Sequence, residues 1–113
     1  MKLVLAFVQP FKLDEVTRRL EQIADFPGMT VGTVRGFGHE RSTHSHSRIR
    51  DEIEDFDDKV QIQSIVHDEQ VDPVIEAIAA VAHTGRYGDG MIFVLPVERS
   101  LRIATMRGGE ESL

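Results

Sequence analysis

DPVIEAIAAVA (Asp72–Ala82) echoes DEVTRRLEQIA (Asp14–Ala24) with its apolar positions in register: Val16 over Val74, Leu20 over Ile78, Ile23 over Val81. In the first stretch Leu13, Val16, Leu20 and Ile23 recur at spacings of three and four, which makes one apolar stripe on a helix. In the second the stripe is Val71, Val74, Ile75, Ile78, Val81 and Ala82. Asp14 and Glu15 suit the positive N-terminal end of the first helix. Asp68 or a neighbour can cap the second, and Pro73 is tolerated in a first turn.

The echo extends outward. KLVLAFVQ (2–9) is apolar at nearly every position, as in a strand buried on both faces, and Pro10 ends it. KVQIQSIV (59–66) alternates, with Val60, Ile62, Ser64 and Val66 on one face. These two strands also align, Val4 with Ile62 and Val8 with Val66. The first helix is closed by DFPG (25–28) and followed by a β-branched strand, MTVGTVRGF (29–37). The second leads through TGRYGDG (84–90) into MIFVLPV (91–97). The order is β-α-β, a long loop, β-α-β. Right-handed crossovers then place both helices on one face of a four-stranded antiparallel sheet, an α+β, ferredoxin-like βαββαβ domain spanning 1–113. Because the first strand is apolar on both faces, a second copy of the chain is expected to cover the face without helices.

Composition narrows the function. At 113 residues, 41% hydrophobic and 28% charged, the chain is sized and composed for one globular domain. No apolar run is long enough for a membrane span. The N-terminal apolar run does not read as a signal peptide, because charge resumes at Lys12 without a small-residue cleavage site. There is no cysteine, so a reducing, cytoplasmic setting is expected, without disulfides or thiolate metal sites. A net charge of −6 argues against nucleic-acid binding but permits a local cationic pocket for one small anion.

Two regions carry chemistry. Residues 38–58, GHERSTHSHSRIRDEIEDFDD, lack apolar periodicity and segregate charge: Arg41, Arg48 and Arg50 precede six carboxylates. A loop this long in a small domain reads as functional or disordered rather than packed. Within it His39, His44 and His46, with Glu40, are candidate ligands for a divalent metal such as Zn, Ni or Cu; the alternative is a solvated polar loop. The acidic run is either solvated or a docking surface for a basic partner. His67 and His83 read as structural or exposed residues at element ends.

The second region is TGRYGDG. Gly85 is placed to end the second helix in a left-handed conformation. Gly88 and Gly90 flank Asp89 and free the backbone to gather N–H groups into an anion-holding concavity, or simply to join helix to strand. The glycines precede a strand, so this is neither a P-loop nor a dinucleotide-binding turn. Gly36 and Gly38 in RGFG would form the facing wall of the same cleft. No nucleophile–base pair or catalytic carboxylate pair appears, so the chain does not read as an enzyme and no catalytic residue is assigned.

QPFKLDEV (9–16), GMTVGTVRGFG (28–38) and TGRYGDGMIFVLPV (84–97), followed by Arg102, resemble the PII nitrogen-regulatory signalling proteins along nearly the whole chain outside the long loop. The resemblance implies a compact homotrimer that binds an adenine nucleotide (ADP, ATP or AMP) in clefts between subunits. Residues 38–58 would be the T-loop, which docks onto a protein partner such as a membrane transporter or a metabolic enzyme. Residues 84–90 would be the B-loop, and 98–113 the C-loop and tail. By this match Thr30 lies near the adenine; Gly36, Phe37 and Gly38 line the cleft; Lys59, Gly88, Asp89, Gly90 and Arg102 surround or approach the phosphates.

The departures from the family pattern are specific. Met91 replaces the family's lysine after GDG, and Ala104 replaces its second C-loop arginine. His39 and Glu40 replace Arg-Gln, and a glutamate beside a dianionic ligand argues against 2-oxoglutarate binding. Glu52 stands near the position of the tyrosine that some members modify. The expectation is a divergent PII-like regulator with few cations for a triphosphate; the alternative is a metal-responsive PII-like module linked to metal efflux through the loop histidines.

Overall fold

The computed structural model describes residues 1–38 and 56–113. Strand β1 (Lys2–Val8) leads through a helical turn, Pro10–Lys12, into helix α1 (Leu13–Glu21) and strand β2 (Thr30–Gly36). Strand β3 (Asp57–Val66), a turn at Asp68–Gln70, helix α2 (Val71–Ala82) and strand β4 (Gly90–Pro96) repeat the pattern. The four strands form one antiparallel sheet in the order β2-β3-β1-β4. This is the expected α+β, ferredoxin-like arrangement. None of the described helices is long and apolar enough to cross a membrane.

The core lies between the helices and one sheet face. Val4, Ala6 and Val8 from β1 and Val60, Ile62 and Val66 from β3 meet Val16 and Leu20 of α1. From α2 come Val74, Ala77, Ile78, Val81 and Ala82, a regular i, i+3, i+4, i+7, i+8 stripe. Ala77 is buried where Ile75, half-buried, was expected. Ser64, the polar member of the β3 inner face, is buried with its hydroxyl donating to Gly28 O at 2.6 Å, which removes the cost of an unpaired polar group.

Element ends differ from the expectation in two places. Strand β3 begins at Asp57, so the long segment drawn as 38–58 overlaps it: Asp57 pairs with Gly36, and Asp58 lies opposite Arg35. Strand pairing and an opposite-charge cross-strand pair override the poor intrinsic preference of aspartate for strands. The turn before α2 is capped at His67, a neighbour of Asp68, as the sequence allowed. Gln70 Oε1 accepts from His67 N at 3.0 Å, and Gln70 N donates to His67 O at 2.9 Å. Helix α2 stops at Ala82, and His83 is already extended (φ −71°, ψ 123°), so Gly85 does not end the helix. Gly85 is left-handed at φ 87°, but within the loop that follows.

The C-terminal segment, which reads as a polar tail, is folded. Strands β5 (Leu101–Arg102) and β6 (Arg107–Gly108) form a hairpin, followed by a turn at Gly109–Ser112. Arg102 Nε donates to Ser112 O at 2.8 Å, Ser112 is buried, and Glu110 Oε1 lies 2.5 Å from His67 Nδ1. These partners are far apart in sequence or depend on a turn with Met106 at φ 59°, so no periodicity announces them.

The sheet's second face carries no helix. Leu3, Leu5 and Phe7 of β1 stand there, flanked by Ile65 of β3 and by Met91, Phe93 and Leu95 of β4. Met91, Phe93 and Leu95 are 56%, 43% and 42% exposed, and Phe93 meets Phe7 edge-on with ring centroids 6.4 Å apart.

Two glycine substitutions separate packing from backbone strain. A Cβ at Gly90 (φ 113°) would stand 1.7 Å from Phe7 O of the paired strand, whereas one at Gly85 meets nothing within 4 Å. Gly90→Ala is therefore expected to lose well over the ~1 kcal/mol typical of point substitutions. Gly85→Ala should lose only the ~1–2 kcal/mol of a left-handed residue. Urea unfolding of both variants checks the contrast.

Candidate functional site

The register brings the functional segments together. Val8, the last residue of β1, pairs with Gly90 at the start of β4 and with Val60 near the start of β3; Gly36, the last of β2, pairs with Asp57. The residues after β1 and β2 and those before β3 and β4 therefore share one end of the sheet. That end holds Gly36, Phe37, Gly38, Lys59, Gly88, Asp89 and Gly90.

Loop 84–90 is ordered from within by Asp89. Its Oδ2 accepts from Thr84 N at 2.6 Å and Gly85 N at 2.9 Å, and its Oδ1 accepts from the Thr84 hydroxyl at 2.5 Å. The same hydroxyl accepts from Arg86 N at 3.2 Å. The Thr84 and Gly85 N–H groups are thus held by a carboxylate of the loop itself. His83 Nδ1 is 3.8 Å from Asp89 Oδ2. Partial burial pushes the Asp89 carboxyl up, but the Thr84 hydroxyl, the amides of Thr84 and Gly85 and the nearby His83 outweigh it and leave its pKa below the ordinary value.

The next residue is held from outside. Gly88 O accepts from Gln9 Nε2 at 2.7 Å and from the Lys59 ammonium. Gly88 adopts φ 98° and is buried. Lys59, expected at the phosphates, is committed to this carbonyl in the chain on its own. Gln9 was not singled out from the sequence; its place directly before Pro10, at the end of a strand, is the only local signal. Beside the loop a cleft of about 270 Å³ opens between α2 and β4, lined by Phe7, Ile78, Ala82, His83, Asp89 and Met91 among others.

The facing wall is open. A Cβ at Gly36 would meet only Lys59 Cγ, at 3.9 Å, and one at Gly38 would meet nothing within 4 Å. Neither glycine is demanded by the packing of the described residues. The Phe37 and Phe56 rings meet tilted at 41° with centroids 5.5 Å apart, and the Arg35 guanidinium lies 5.3 Å from the Phe56 ring. Phe11 (74% exposed) and Tyr87 (64%) add to the aromatic character of this end.

Two expected residues lie elsewhere. Thr30 pairs with Gln63 further along the sheet, on the face without helices. Arg102 belongs to the hairpin rooted at the opposite end, where Val97 N donates to Met1 O at 3.3 Å and Gly109 N to Ser100 O at 3.1 Å. The candidate metal ligands His39, Glu40, His44 and His46 fall outside the described residues. Among the described residues no group of three or more His, Asp or Glu is placed to hold a metal ion.

The inward carboxylate has a pH signature. A depressed folded pKa contributes stability that is fully present above the ordinary aspartate value and is lost as pH falls through the folded one. The Thr84 and Gly85 amide resonances are therefore expected to hold steady down to about pH 4 and to shift together below it. Asp89→Asn should abolish that transition; NMR titration of both proteins checks it.

A family model described as "Nitrogen regulatory protein P-II" matches residues 1–107. Proteins named Nitrogen regulatory protein P-II from Pasteurella multocida, Haemophilus influenzae and Azospirillum brasilense are 44%, 43% and 42% identical over 113 residues, covering the whole of both chains in each case. The chain belongs to the P-II family of nitrogen regulatory proteins, and its role is that of a signal-transduction regulator.

Proposed function

We propose that the protein is a homotrimeric regulator that binds an adenine nucleotide in the clefts between copies and passes occupancy to a partner protein through residues 38–58. One observation carries the reading. The apolar sheet face stands uncovered in the single chain, and Arg102 is rooted at the end of the sheet opposite the glycine-rich loop. A neighbouring copy packed on that face buries it and delivers the neighbour's Arg102 to this copy's loop. Each cleft is then built from two chains, with Thr30 on the shared face near the purine and Gly36, Phe37, Gly38, Lys59, Gly88, Asp89 and Gly90 around the phosphates.

Binding changes the partner surface only if the nucleotide interacts differently with two states of 38–58. Lys59 and Gly36 belong to the strand ends from which that segment departs, so a phosphate held there acts on its root. The exposed Phe11, Phe37, Phe56 and Tyr87 at the same end have the aromatic character of protein interfaces, which supports docking of a transporter or metabolic enzyme there. The protein acts by binding and carries out no chemistry of its own.

The cation set favours fewer phosphates. Met91 and Ala104 add no charge, and Lys59 and Arg102 each hold a carbonyl. Calorimetric titration with AMP, ADP and ATP is expected to show ADP or AMP binding at least as tightly as ATP. Absence of binding for all three refutes the reading. Arg102→Ala should weaken the nucleotide about tenfold, the scale of a charged hydrogen bond. Phe93→Glu should convert the trimer to monomers in sedimentation and abolish binding with it; a wild-type monomer would overturn the proposal.

A further inference from the structure

We propose that Gln9 is a positioning residue for loop 84–90: it anchors the Gly88–Asp89 peptide permanently, while Lys59, on the same carbonyl, is the donor released to an incoming anion. This rests on the nucleotide reading above and adds to it a division of labour between two side chains.

The argument starts from the Gly88 carbonyl. It has two lone pairs, and two donors from different elements reach it: Gln9 Nε2 at 2.7 Å from the end of β1, and the Lys59 ammonium from β3. The Gly88–Asp89 peptide is planar and trans, so fixing its carbonyl aims its other polar group, the Asp89 N–H, away from Gln9 and Lys59. The Asp89 side chain is fixed separately by Thr84 and Gly85. Both ends of Asp89 are therefore set before any ligand arrives.

The two donors are not equivalent. Lys59 is a point charge on a flexible stem, and an anion attracts it more strongly than a neutral carbonyl does. Gln9 is neutral and gains far less from the exchange. Its backbone is held extended (φ −65°, ψ 139°), the conformation that a following proline enforces. If Lys59 were the only anchor, binding an anion would free the loop at the moment it is needed. With Gln9 in place, Lys59 can leave and the peptide stays. The Lys59 stem also passes 3.9 Å from where a Gly36 Cβ would be, so its departure is felt at the strand end preceding residues 39–55.

The test uses the intact oligomer, first without ligand. In Gln9→Leu the Asp89 amide resonance should move, and exchange of the Thr84 and Gly85 amides, which the Asp89 carboxylate holds, should accelerate about five- to tenfold, the equivalent of one hydrogen bond. The oligomeric state should stay as in the wild type, with the thermal midpoint lowered by no more than the few degrees that one hydrogen bond accounts for. Gln9→Lys, which restores a donor, should return the exchange rate toward the wild-type value. Lys59→Met should disturb the ligand-free Asp89 amide less than Gln9→Leu does. On addition of ADP, Gln9→Leu should still shift the Gly36 resonance but bind more weakly, whereas Lys59→Met should lose that shift. An unmoved Asp89 resonance with wild-type exchange at Thr84 and Gly85 in Gln9→Leu overturns the proposal, as does a larger ligand-free effect from Lys59→Met. If the wild type binds none of AMP, ADP and ATP, the nucleotide reading and the release of Lys59 fall together, while the ligand-free comparison still decides whether Gln9 is the anchor.

Discussion

Two helices cannot cover both faces of a four-stranded sheet. The remaining features of this protein are responses to that shortage. The inner face is closed by a stripe from each helix, and β1, in the middle, serves it with Val4, Ala6 and Val8. The alternate residues of the same strand, Leu3, Leu5 and Phe7, continue across the outer face into Met91, Phe93 and Leu95. A strand apolar on both sides is stable only when both sides are dry. The sheet thus completes one core and begins another, which a further copy of the chain would finish.

The antiparallel register sets the chemistry. It draws the ends of β1 and β2 and the starts of β3 and β4 to one end of the sheet, and the loops there need no further device to be neighbours. Gly90 shows how tight this is, because its Cα faces the Phe7 carbonyl too closely for any side chain. The glycines of TGRYGDG answer to different demands: Gly90 to strand contact, Gly85 and Gly88 to left-handed backbone. Asp89 then uses the freedom they create to tie the loop to itself, and Gln9 and Lys59 tie it to the sheet. The loop is prepared by its own hydrogen bonds, which lowers the ordering cost of any ligand that binds there.

Charge is distributed sparingly at this end. Of the cations assigned to the cleft, Lys59 already has an acceptor within its own chain, and Arg102 is tied to Ser112 at the far end. On the proposed reading, a bound anion would compete for Lys59 rather than find it idle. Such competition would link occupancy to conformation, because a donor that moves from one acceptor to another leaves a mark on both. The position of Lys59 beside Gly36 would place that mark at a strand end that runs on into residues 39–55.

The order of elements, the helical stripes, the inner face of β3 and the uncovered outer face were all legible in the sequence, because burial repeats with the period of the backbone: 3.6 residues on a helix and two on a strand. The glycines of TGRYGDG were legible as places of unusual backbone, since few other residues tolerate it, whereas Gly36 and Gly38 of RGFG have no left-handed backbone. What each glycine does was decided only by the fold. Gly85 does not end α2, because the chain extends at His83 before reaching it. Asp89 turns inward because Thr84 and Gly85 curl around it. Gln9 matters because a carbonyl 79 residues away comes within 2.7 Å. The folded tail depends likewise on His67 meeting Glu110 and Arg102 meeting Ser112. Periodic burial is a local property that a sequence carries in every window, whereas a hydrogen bond between distant residues exists only once three-dimensional packing has brought its two ends together.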